Sequence, residues 1–372
     1  MQERVAIVGS GLGGLVAYAT LRHGGLEPAE IAVLGRDPDP VAAWRPRAAA
    51  IRQRRMRSES DGHCLPRSFP GLAVRESLRR LTPAPLLLSV CDRYRPSVAD
   101  FLSHVAEVRD RSGWDSSFRR ATVERARAVP GGFELDGHGV FRHVLLALGH
   151  PGHALPAELE GDPRVVHAYE PHDYADSLAV VGAGMAAATE WVNALAAGAE
   201  VVSVRRREPV RRPLNVDRTL FSKRGLAGFH ATATAARAEL LHELSAPSYP
   251  PGRAWDEPLE HGSREGRFKV AAELNGTGSK GIGQVICATG FRHGFQHDPL
   301  LRRLAEEHEL ESAERWLVLA PDATVPALTD RNRTLALAGV PAQWAYPAAD
   351  TLVGMKYVAR RFLRRIQRCP SR

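Results

Sequence analysis

Lysine is almost missing from this chain: Lys223, Lys269, Lys280 and Lys356 are 4 of its 50 basic residues. Arginine therefore carries the formal charge of +8. With alanine and proline also abundant, this reads as a compositional bias rather than a lysine-rich nucleic-acid patch, and no nucleic-acid partner is expected. Cysteine is scarce as well. Cys64, Cys91, Cys287 and Cys369 are far apart and form no C-x-x-C pair, which argues against a zinc site and against a dithiol redox centre. No run of about 20 apolar residues occurs, so no membrane span is expected. The first strand-like run, Val5 to Val8, passes straight into glycine, leaving no room for the apolar core of a secretion signal. What remains is the expectation of a cytoplasmic globular protein. Its 372 residues, 44% of them hydrophobic, suffice for two or three domains.

Glycine, by contrast, is placed with a pattern. Residues 4 to 8 are a short β-branched run, followed by Gly9-Ser-Gly11-Leu-Gly13-Gly14, a helical stretch from Leu15 and a second strand at Ile31 to Leu34. Strand, glycine turn, helix and strand make the opening βαβ unit of a doubly wound sheet. In G-x-G-x-x-G, Gly9 allows the tight turn, Gly11 lets backbone approach a pyrophosphate, and Gly14 packs helix on strand; the helix amino end then faces the phosphates. The usual acidic ribose ligand is missing from the second strand end, where Gly35 and Arg36 stand, and Asp37 or Asp39 is the candidate in its place, with Asp37 preferred.

The pattern restarts after Ser177. Leu178 to Val181 precede Gly182-Ala-Gly184-Met185-Ala-Ala187, then a helix and the strand Glu200 to Val204. Arg205, Arg206 and Arg207 follow, with no carboxylate at that strand end; guanidinium forks suit a 2′-phosphate, so NADPH is expected over NADH. Two small-residue strand ends, Ala147-Leu148-Gly149 and Cys287-Ala288-Thr289-Gly290-Phe291, are what crossovers between two nucleotide units need. The predicted architecture is α/β, with two dinucleotide-binding Rossmann-type domains. The second, residues 175–282, is inserted into a discontinuous first domain made of residues 1–174 and 283–372.

This order of motifs resembles the class B flavin-dependent monooxygenases, the superfamily of N-hydroxylating, flavin-containing and Baeyer–Villiger monooxygenases, over nearly the whole chain. Gly9 to Gly14 matches the FAD turn and Gly182 to Ala187 the NADPH turn. Ala42-Ala43-Trp44-Arg45 is similar to the Gly-Gly-Thr-Trp segment beside the flavin, without its glycines. The two strand ends match the A-T-G-type linkers. Gly161, His167 and Tyr169 occupy positions comparable to the family's glycine and histidine, off the strict Baeyer–Villiger spacing.

The resemblance implies FAD and NADPH as cofactors. It also implies a C4a-(hydro)peroxyflavin that oxygenates a small molecule with dioxygen, at an amine or other soft heteroatom in preference to a carbonyl. Arg57 and His167 become candidate catalytic residues. Asn215, Lys223, Tyr249 and Trp255 lie where the family covers its substrate cavity, with Asn215 counted as catalytic. Gln343 and Trp344 precede a helix whose amino end would face the flavin. A homodimer is compatible with the sequence. The alternatives are Baeyer–Villiger oxygenation, an NAD(P)H-dependent flavin reductase without oxygen transfer, and a flavin-binding protein without turnover.

Overall fold

In this computed structural model, residues 4–56, 63–66, 71–90, 94–212, 216, 218–274 and 281–368 are described. The short apolar runs form the strands: β1 (Val5–Val8), β2 (Ile31–Gly35), β3 (Phe118–Arg120) and β4 (His143–Leu146) come first. They are followed by β5 (Val165–His167), β6 (Ser177–Val181), β7 (Glu200–Val204), β8 (Phe268–Ala271), β9 (Gln284–Cys287) and β10 (Thr334–Leu337). Two five-stranded parallel sheets result, in the orders β10-β4-β1-β2-β3 and β8-β7-β6-β9-β5. In the first sheet β1 is central, with β2 and β3 on one side and β4 and β10 on the other; in the second β6 is central, with β7 and β8 on one side and β9 and β5 on the other. The central strands are apolar throughout because both faces of a parallel sheet are covered; every residue of β1 is buried.

Helices α1 (Leu12–His23), α2 (Trp44–Ala50), α3 (Met185–Ala196), α4 (Lys223–Ala231), α5 (Thr234–Leu244), α6 (Pro299–Glu307) and α7 (Leu352–Arg368) complete the frame. Across the first sheet α7 lies against α1, so closely that a Cβ on Gly24 would sit 2.4 Å from the Leu363 side chain. No helix among the described residues is long and apolar enough to cross a membrane.

The units exchange more chain than the 175–282 boundary implies. β5 and β9, from either side of that range, belong to the second sheet, with β9 hydrogen-bonded between β6 and β5. Helices α4 and α5 lie inside the range, yet Leu226, Phe229, Ala238 and Leu241 pack in the first core. In the other direction, Ile51 is inserted from the first unit into the second core. Backbone pairing and side-chain packing decide such memberships, and an apolar run reads the same for either sheet. Helices Gly71–Arg80, Ala84–Val90 and Arg253–Arg264 were not expected; prolines within or beside each of them in sequence mask the helical period.

Candidate active site

The first glycine turn divides its work among its residues as the spacing predicts. Gly9 has φ +115°, and a Cβ there would lie 2.2 Å from the Ala147 carbonyl oxygen. A Cβ on Gly14 would lie 2.1 Å from the Gly9 oxygen. Both positions are closed against backbone. Gly11, at the amino end of α1, is the opposite: a Cβ would meet nothing within 4 Å. Its backbone faces a cavity of about 970 Å³, which Gly13, Asp37, Trp44, Gly149 and the start of α7 also line. That volume lies in the upper part of the range for cofactor sites. Two helix amino ends open on it, and their partial positive charge suits phosphate and reduced-ring anions. The open backbone at Gly11, the cavity and the two helix ends together fit a dinucleotide such as FAD.

Gly35 accounts for the missing acidic residue. A Cβ there would sit 2.2 Å from Ser10 Oγ, so no glutamate could occupy this strand end without displacing the turn. Asp37 lines the cavity from an exposed position, and one of its carboxylate oxygens accepts the Asp39 N–H at 2.8 Å. Trp44 is half-buried edge-on to Phe101, ring centroids 5.4 Å apart.

The second turn repeats the geometry. Gly182 has φ +134°, with a would-be Cβ 2.5 Å from the Ala288 oxygen, whereas Gly184 at the start of α3 is open. Ala187 is fully buried and Met185 begins the helix. Arg205 is only 12% exposed. It lies 5.5 Å from the Trp191 ring centroid and pairs with Glu208 at 3.0 Å. Arg206 and Arg207 are exposed. The strand end is thus not free of carboxylate, because the turn after β7 folds Glu208 back onto Arg205.

The two linkers are bound to one another. Ala154 N–H donates to Gly290 O at 3.0 Å, Arg292 N–H to Gly152 O at 2.9 Å, and the Thr289 hydroxyl to Ala154 O. Rings stack over this crossing: His150 on Phe291 at 3.9 Å, Tyr169 on Phe291 at 5.0 Å and His153 on His167 at 4.1 Å. His167 is buried, with Nε2 bonded to Gly290 O at 3.1 Å and Nδ1 accepting the Tyr169 N–H at 3.2 Å. Burial holds its pKa down at about 4. Both nitrogens of this neutral ring are committed to backbone, which makes His167 a tie between linkers and leaves it no nitrogen for proton transfer.

The other expected residues scatter. Arg57 and Asn215 lie outside the described residues; Val216, next to Asn215, lines the cavity. Trp344 is buried in the first core, 4.9 Å beneath the Arg237 guanidinium, and Gln343 borders a separate void of about 20 Å³. Tyr249 and Trp255 pack in the second core, and Lys223 is exposed. Arg47 and His150 line the main cavity and were not expected there. Nothing in their spacing separates them from other arginines and histidines.

Two parallel-sheet nucleotide units, one inserted into the other and joined by a paired crossing, define a two-dinucleotide α/β fold of the kind flavoprotein oxidoreductases use. No family model and no curated protein matches the chain. Solved structures do match. An ornithine N-hydroxylase of Kutzneria sp. 744, solved with reduced FAD, NADP⁺ and L-ornithine, superposes with a TM-score of 0.72 at 14% identity over 99% of each chain. An ornithine hydroxylase from Pseudomonas aeruginosa gives 0.68 at 15% identity over 98% of this chain and 100% of its own. The bacillithiol disulfide reductase of Bacillus cereus gives 0.54 at 15% identity over 98% and 100%. At these identities the likeness establishes the fold, which is the architecture expected from the order of motifs.

Proposed function

We propose that the protein is a single-component, FAD-dependent and NADPH-consuming monooxygenase that oxygenates a small molecule at an amine or other soft heteroatom, as part of specialised metabolism in the cytoplasm. The observation that carries this reading is the pair of glycine turns, each opening an unobstructed backbone onto its helix end, with the cavity of the first reaching the crossing between the units. Bound FAD supplies hydride acceptance and oxygen activation. The chain's part is to bind, orient and exclude water. Gly11 and the start of α1 would hold the pyrophosphate of FAD, and Gly184 with the start of α3 that of NADPH. Arg205, Arg206 and Arg207 would read the 2′-phosphate, Arg205 by exchanging the exposed Glu208 for it. Trp44 and the rings over Phe291 give the meeting place an apolar wall. The Kutzneria and Pseudomonas neighbours, both named as ornithine hydroxylases, favour heteroatom over carbonyl oxygenation.

The Bacillus neighbour favours a second reading, a flavin reductase without oxygen transfer. Disulfide exchange through the described cysteines is opposed by their burial, which pushes the thiol of Cys64 up to about 12 and that of Cys287 to about 11. Rapid reduction of the purified holoprotein by NADPH, followed by mixing with oxygen, separates the readings. The monooxygenase gives a transient near-ultraviolet absorbance and a lag before the visible absorbance of oxidised flavin returns. Immediate reoxidation across several pH values, with NADP⁺ bound, would leave only the reductase.

A further inference from the structure

Arg47 stands in the last turn of α2 and lines the main cavity together with Trp44, Gly149 and His150. Its guanidinium is half-buried over the face of Phe291, 4.9 Å from the ring centroid. Among the described residues no carboxylate pairs with it. Glu170, the carboxylate beside this ring cluster, reaches His153 at 3.7 Å instead. The surrounding rings bring no negative charge: His150 and His167 are both held neutral, near a pKa of about 4, by burial. Desolvation pulls the Arg47 pKa below its ordinary value.

A half-buried cation among neutral rings is costly unless a ligand brings the counter-charge. Stacking on one aromatic face returns only part of that cost. The position says which ligand. Phe291 follows Ala288 by three residues, and the Ala288 carbonyl is the atom that closes on Gly182 of the second turn. Arg47 therefore lies in the first unit's cavity over the linker that leads to the second unit's glycine turn. A dinucleotide seated on Gly184 and extending toward the cavity would bring its second phosphate to this crossing.

Resting on the coenzyme reading above, we infer that Arg47 binds the phosphate on the nicotinamide side of NADPH, reaching across the unit boundary, so that coenzyme affinity depends on a residue of the FAD unit. Arginine suits the task because its planar fork can stack on Phe291 and donate to phosphate oxygens at once.

The test is equilibrium titration of the oxidised, FAD-loaded protein with NADP⁺, nicotinamide mononucleotide and adenosine 2′,5′-bisphosphate. The parent is compared with Arg47→Gln and Arg47→Lys, and Arg47→Met serves in place of the glutamine variant if that one fails to retain FAD. Arg47→Gln should weaken NADP⁺ and the mononucleotide roughly ten- to hundredfold, the size of one charge-assisted contact to phosphate. Adenosine 2′,5′-bisphosphate, which lacks the nicotinamide-side phosphate, should change by less than about twofold, and Arg47→Lys should recover part of the loss. Unchanged NADP⁺ affinity would overturn the inference and leave Arg47 to an anionic group of the substrate. Equal loss for NADP⁺ and the bisphosphate would overturn it too, as general damage to the second unit. A parent protein that binds no NADP⁺ would refute the coenzyme reading itself, and this inference with it.

Discussion

Single glycines carry the sharpest contrasts in this molecule. Gly9 and Gly11 are two residues apart in one motif, yet one is closed by the Ala147 oxygen at 2.2 Å and the other open. Their alanine variants should therefore fail differently. Gly9→Ala forces a side chain into positive φ and into backbone, and should lower stability by about 2 kcal/mol or more even without cofactor. Gly11→Ala should melt as the parent does in the cofactor-free form but lose FAD on gel filtration, because the added methyl occupies only the space a pyrophosphate would take. Matching denaturation curves for cofactor-free parent and Gly9→Ala protein would show that the turn relaxes. The motif made both roles legible. Gly35 was legible only as an anomaly, since the Ser10 hydroxyl that excludes a side chain there comes from the neighbouring turn.

At the scale of elements, a tongue at Ile51 and Arg52 fastens the first unit to the second. Ile51 is packed in the second core, and its carbonyl accepts from Asn193 Nδ2 at 3.0 Å. Arg52, at φ +49°, lies 4.4 Å over the Tyr174 ring and pairs with Asp173 at 3.6 Å. Beneath that ring the Tyr174 hydroxyl donates to Glu190 Oε2 at 2.8 Å, an oxygen that also meets His172 Nε2 at 3.1 Å. Glu190 is fully buried, and its Oε1 has no hydrogen-bond partner. Tyr174→Phe keeps the ring under Arg52 but takes a donor from a buried carboxylate, so stability in urea denaturation should fall by about 1–3 kcal/mol. A change below about 0.5 kcal/mol would mean that His172 alone satisfies the carboxylate. None of this was readable beforehand. Ile51 and Arg52 lie in a stretch without periodicity, and their partners are more than a hundred residues away in sequence.

For the whole molecule, the buried histidines set the response to acid. Burial holds His143 and His63 at about 3, and His104, His150 and His167 at about 4. An unfolded chain titrates its histidines near pH 6.5 and takes up protons that the fold refuses. Their contribution is therefore complete above about pH 6.5 and is lost as the pH falls toward 4. His172, raised by Glu190 and the Glu170 carbonyl against the opposing effect of burial, works in the other direction. Chemical denaturation at pH 6.5 and at pH 5 should differ by on the order of 1–2 kcal/mol for each strongly buried histidine. His143→Gln should flatten that dependence; an unaltered slope would mean that the His143 ring protonates without unfolding. The same packing redrew the domain boundaries, moving β5 and β9 into the second sheet and α4 and α5 into the first core.

What the sequence determined by itself is local and periodic: β-branched runs, glycines at positions that tolerate no side chain, and helices that begin where those glycines end. Twice over, these dictate a strand, a glycine turn and a helix, which is enough for the fold class and for the proposal of two cofactor positions. Tertiary structure alone decided which side chains face the space between the units. It placed Arg47 in the cavity and committed both nitrogens of His167 to backbone. It also returned Glu208 to Arg205 and sank Trp344 into the core. Backbone geometry follows from neighbours along the chain, whereas burial and counter-charge follow from neighbours in space, which spacing does not encode.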